Sequence, residues 1–149
     1  MPRLRDLPLV DASVRADASV HEAVSALFAS RSPAIAVLDA EGHPVGVFAE
    51  RDLLQAVFPG YLAEMRHTSF LPDDSAALDE LARQVRSRPI GELARPSEVL
   101  RGDDSQVHAA ERLMHTGEDA LPVVDGERFL GMLSVAALCQ ARLDRAQEE

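Results

Sequence analysis

Five histidines and one cysteine are the side chains best able to hold a metal or open a nucleophilic attack. His108 and His115 fall seven apart on one helical stretch, about 10 Å of rise, too far to share an ion directly, and no Cys or carboxylate group completes them. Cys139 stands alone in an apolar helical run, which rules out an intrachain disulfide and predicts a buried thiol in a reducing compartment. No Ser, Cys and His set has the spacing of a nucleophile with its base, and no Gly-rich phosphate loop is present. The expectation is therefore a protein without catalysis, metal or cofactor. The remaining candidates stand where helices begin: Asp52 and Arg51 ahead of Leu53-Leu54, and Ser134 ahead of Val135. An acid there steadies the helix dipole, a hydroxyl caps free N–H groups, and a guanidinium can grip an anion.

Both places belong to one repeated unit. Ala34-Ile35-Ala36-Val37-Leu38-Asp39 recurs 86 positions later as Ala120-Leu121-Pro122-Val123-Val124-Asp125. After a one-residue deletion in the loop, Val45 to Leu54 recurs as Leu130 to Cys139. The register holds upstream, where Ser19, Ala23, Leu27 and Phe28 match Ser105, Ala109, Leu113 and Met114. A unit of about fifty residues is too small to bury a good core alone, so two should share one.

Each copy reads as strand, helix, strand, strand, helix. Leu4 to Leu7 is a helical turn or an extended arm, and Ser13-Val14-Arg15 a brief strand. Ser19 and Glu22 form a capping box for a helix whose apolar face is Val20, Val24, Leu27 and Phe28, ending before Pro33. Ala34 to Leu38 and Pro44 to Phe48 make a hairpin around the Gly42 turn, and Asp52 to Phe58 a second helix. The second copy places a strand near Val99-Leu100, a helix from Ser105 to Thr116, a hairpin from Leu121 to Leu133 and a helix from Val135 to Ala141. Residues 1–58 and 89–142 are the expected units. In the connection, 59–88, Tyr61, Leu62, Met65 and Phe70 can pack, and Asp73-Asp74-Ser75 can cap a helix bearing Leu78, Leu81 and Val85. The charged tail, 143–149, is expected to fray.

The net charge of −10, with all fifteen basic residues Arg, argues against general binding to nucleic acid. No apolar run reaches the eighteen or so residues of a membrane span, and Met1 to Asp6 lacks a signal-like segment. A cytoplasmic protein that makes no membrane contact is expected.

The repeated pattern of capped helix, strand ending in Val-x-Asp, turn, and Gly-hydrophobic-hydrophobic-Ser/Thr-x-x-Asp-Leu resembles the cystathionine-β-synthase (CBS) domain, over about residues 3–58 and 89–142. The resemblance implies an α/β (α+β) fold of two pseudo-symmetric β-α-β-β-α CBS units packed sheet to sheet, with a helical insertion between them. It implies clefts between the units for AMP, ADP, ATP or S-adenosylmethionine, the hydroxyl and helix N-terminus holding phosphate and the Asp holding ribose. Here the motif is split. The first copy keeps Asp52 but has Ala49 for the hydroxyl, and the second keeps Ser134 but has Ala137 for the acid. The first cleft is the expected site, with Asp52 on ribose, Arg51 on phosphate, and Val47 and Phe48 walling a purine, while Ser134 serves the second. The family also implies a homodimer through helical positions such as Leu54, Val57, Phe58, Leu138 and Cys139, and an unidentified protein partner. The function implied is non-catalytic sensing of an adenosine-containing ligand, against a ligand-free dimerisation or docking module with degenerate sites.

Overall fold

A computed structural model describes residues 2–67 and 76–148, so Phe70 and the Asp73-Asp74-Ser75 cap lie outside the described residues. The first unit comprises β1 (Ser13–Arg15), α1 (Val20–Ser30), β2 (Ala34–Leu38), β3 (Pro44–Ala49) and α2 (Glu50–Val57). After α3 (Ala76–Arg86), the second unit repeats the order as β4 (Leu100–Arg101), α4 (Gln106–Thr116), β5 (Ala120–Asp125), β6 (Arg128–Ser134) and α5 (Val135–Glu148). Each unit makes a three-stranded sheet with a parallel first pair and an antiparallel second, in the order β1-β2-β3 or β4-β5-β6.

The central strands are apolar throughout because both of their faces are covered. Ala34, Ile35, Ala36 and Val37 are all fully buried, with α1 packed on β2 and the second sheet (β5 and β6) facing it. Phe48, Ile35, Leu121 and Leu133 are enclosed as well, each side chain contributing roughly 1.5–3 kcal/mol. The two sheets thus face each other as the fold expectation required, and the buried side chains gather in two clusters, one chiefly of each unit.

The chain exchanges its arms between the units. The amino-terminal turn Leu4–Asp6 docks on the second unit, where the Leu4 and Arg5 N–H groups donate to Asp104 O and Gly102 O, and buried Leu4 joins Leu100, Leu113 and Leu121. Val10 and Met132 exchange backbone hydrogen bonds of 3.0 and 2.7 Å. In return, the arm ahead of β4 docks on the first unit. Ile90, Val20 and Gly91 donate to Ala18, Arg88 and Ala16, and Val47 and Arg95 exchange a backbone pair at 2.9 Å each way.

Several sequence expectations are corrected. Phe28 is 88% exposed, because the buried stripe of α1 is Val20, Ala23 and Leu27, and Phe28 lies a further 100° round the helix. Cys139 is exposed for the same reason, one position past buried Leu138. The tail does not fray at Arg142. Helix α5 continues to Glu148, helped by Ala141 against the second core and a Gln140 to Asp144 side-chain bond. Helix α1 ends on Arg31 in the left-handed region (φ 60°), where its twin α4 ends on Gly117 (φ 71°). Helix α3 packs on α1 and α2 with Val85 buried, so this helix lies against the first unit.

The β2–β3 turn makes the fold's stability depend on pH. Asp39 Oδ1 accepts from the Glu41 and His43 N–H groups at 2.9 Å each. The His43 N–H chiefly, with those of Glu41 and Gly42 assisting, holds the Asp39 carboxyl below its ordinary 3.8. A carboxyl depressed in the folded state stabilises above its unfolded pKa, and that contribution disappears as pH falls through the folded value. The melting-temperature deficit of Asp39→Ala against wild type should therefore be full at pH 6 and shrink below about pH 4. A deficit that grew in acid would exclude this role.

Candidate functional site

Arg51 and Asp52 open onto one cleft of about 750 Å³ between the units. Its first wall is Pro33, Ala49, Arg51 and Asp52, and its second Arg95 with the Thr116–Asp119 turn. Strand β3 delivers the chain to this seam and α2 begins there, so the first turn of α2 faces the cleft. No side chain of Ala49 caps that turn. Asp52 reaches back instead, and its Oδ2 accepts from the Ala49 N–H at 2.8 Å.

The other carboxylate oxygen of Asp52 faces the second unit. Arg95 donates through Nε to Asp52 Oδ1 at 2.7 Å, and through Nη1 and Nη2 to the two oxygens of Glu118, the latter at 3.1 Å. The carboxylate side chains are only 14% and 15% exposed, against 42% for the guanidinium. Glu118 first, then Asp52, pushes the Arg95 guanidinium further above its already high range. One cation from the arm thus ties the first unit to the second across the cleft mouth.

Of the five residues expected to bind ligand, the structure brings two into this cleft. Asp52 and exposed Arg51 line it. Val47 and Phe48 point to opposite faces of β3, and both are fully buried in the core, outside the cleft lining. Ser134 sits at the start of α5, its Oγ accepting from the Ala137 N–H at 3.0 Å, and is not part of the cleft lining.

Sequence reasoning missed Arg95 and Glu118. Arg95 is 43 positions from Asp52, and no local spacing links them. No sequence signal led to Arg95: only the folded chain pairs Val47 with Arg95 and its repeat partner Met132 with Val10, so that a cation stands in one arm where the other has an apolar residue. Glu118 likewise stands where the first copy has Ser32, a buried hydroxyl bonded to Ala34 O. Among the described residues the second seam has no counterpart of the Arg95 bridge at these matched positions.

Among the described residues no three His, Cys, Asp or Glu are grouped to hold a metal, and no helix is long and apolar enough to cross a membrane. The lining offers four carboxylates, Glu50, Asp52, Glu118 and Asp119, and two guanidiniums, Arg51 and Arg95, groups that can accept from hydroxyls and pair with charge.

The CBS domain family model matches residues 4–59 and 78–144. No curated protein matches the sequence. Among solved structures, a CBS domain-containing protein of unknown function from Kribbella flavida is 21% identical, with TM-score 0.76 over 96% of this chain and 99% of that one. The CBS-pair protein CBSX2 from Arabidopsis thaliana is 22% identical, with TM-score 0.75 over 98% and 97%. A structure of CBSX2 in complex with AMP is 23% identical, with TM-score 0.70 over 98% and 99%.

Proposed function

Since the chain belongs to the CBS-domain family and is built as a tandem pair, we propose that it is a non-catalytic regulatory module that senses an adenosine-containing ligand in the Asp52 cleft. AMP, ADP, ATP and S-adenosylmethionine are the candidates, and the AMP held by CBSX2 puts an adenine nucleotide first among probes. The observation that carries this reading is the position of Asp52. A carboxylate of the family's motif lies at a cleft walled by both units, beside an arginine from the arm that spans them. A ligand there touches both units at once, and can shift their arrangement only by binding one arrangement more tightly than another.

A second reading has an observation of its own. Both oxygens of Asp52 are already engaged, by the Ala49 N–H and by Arg95, and Ala49 offers no hydroxyl. A module retired from ligand binding and kept for docking would look like this. Thermal denaturation separates the two. A binding nucleotide at a hundredfold excess over Kd adds about 2.7 kcal/mol, roughly a 5–10 °C rise, and Asp52→Ala should abolish it. If no adenine compound moves the transition, the docking reading replaces the sensing one.

We also propose a cytoplasmic homodimer. Of the expected positions, Leu54 on α2, Phe58 just past its end and Cys139 on α5 are exposed and supply surface for a second copy, whereas Leu138 is buried in the chain's own core. A monomeric mass by light scattering at micromolar concentration would remove the dimer.

A further inference from the structure

We propose, building on the adenosine reading of this cleft, that it discriminates by charge: it takes an adenosine compound without net negative charge, a nucleoside or a cationic sulfonium nucleoside, and rejects polyphosphates. The cleft lining holds four carboxylates, Glu50, Asp52, Glu118 and Asp119, against two guanidiniums, Arg51 and Arg95. Two carboxylates are in excess before any ligand arrives. Arg95, the better placed cation, already divides its donors between Asp52 and Glu118. Three of its five N–H donors are spent on them, so a phosphate at Arg95 stands against both carboxylates and must share their one counter-ion.

Helix geometry points the same way. Helix starts attract anions through free N–H groups and the positive end of the dipole. The first turn of α2 carries Glu50 and Asp52, and Asp52 has taken the Ala49 N–H for itself. Its twin α5 opens with Val135, Ala136 and Ala137 and no acid at all. At the cleft the chain's own carboxylates therefore occupy the electrostatic place of a phosphate. A ligand bearing a cation near its ribose meets Glu50, Glu118 or Asp119 favourably. The net charge of −10 adds a background field that opposes polyanions further.

Calorimetric titration of the full chain with adenosine, AMP, ATP and S-adenosylmethionine, in EDTA and at two salt concentrations, tests the ordering. S-adenosylmethionine and adenosine should bind most tightly, AMP less, and ATP weakest, roughly tenfold or more below adenosine at low salt, with the gap narrowing at high salt. In Glu50→Gln/Asp119→Asn, which removes the excess acid while sparing the Arg95 bridge, the ATP to adenosine gap should close several-fold. ATP binding as tightly as adenosine, or a gap that the double variant leaves unchanged, overturns the charge selection while leaving adenosine sensing intact. Binding of none of the four overturns both.

Discussion

Gly131→Ala should cost about 2–4 kcal/mol of stability, combining backbone strain with overpacking, and lower the melting temperature by roughly 5–15 °C. Gly131 has φ 152°, within the range that side chains avoid, and a Cβ there would stand 2.7 Å from Leu9 Cβ and 3.1 Å from Val10 O. The clash falls where the amino-terminal arm lies on β6, so relief means pulling the Val10–Met132 backbone pair apart. Gly46, the matching position, has no such φ, yet a Cβ there would come within 2.6 Å of Arg95 O, a backbone atom with little room to yield. Gly46→Ala should therefore cost about 1–3 kcal/mol and also shift Arg95 off its carboxylates, weakening any adenosine-induced stabilisation. Chemical denaturation reads both effects. Losses below about 0.5 kcal/mol at both positions would mean that the arms are not held as described.

Arg95→Gln should be the most damaging single change of charge, at about 2–3 kcal/mol. The expectation lies below the 3–5 kcal/mol of a fully buried pair because the guanidinium is 42% exposed, and above a surface pair because Asp52 and Glu118 are largely enclosed. Most of the loss is repulsion between two stranded carboxylates. Adding Asp52→Asn and Glu118→Gln to Arg95→Gln should then recover much of the stability, a coupling measurable in a mutant cycle. If Arg95→Gln costs no more than a typical surface substitution, or if the triple variant recovers nothing, the ionic bridge is not what ties the units at this seam.

These two sites mark the boundary of what the sequence makes legible. The repeat exposes the strands and helices, since Ala34 to Leu38 and Ala120 to Val124 can be apolar along their whole length only if covered on both faces. It also marks Gly46 and Gly131 as matched, but the reason for a glycine there is a chain segment from the other half, invisible to local pattern. Asp52 is legible as an acid at a helix start, whereas its partner Arg95 depends on the path of an arm 43 residues on. Val47 and Phe48 show the opposite failure. Their motif positions suggest a ligand wall, but β3 is covered on both faces, so the pleat buries one residue on each side. Helix faces are blurred for a related reason: a shift of 100° moves Phe28 and Cys139 from core to surface, and an apolar run contains no mark of where the stripe is centred.

The crossed arms bear on how the molecule is made. A ribosome releases the first sheet before residues 88–95 have emerged to cover it, and the amino-terminal arm cannot complete its contacts, which run from Gly102 to Met132, until the second half has left the exit tunnel. Vectorial assembly, one finished half after another, is closed to this chain. The nascent first half must wait with an open edge, a natural client for a holding chaperone, and the earliest residues synthesised are among the last to find their place.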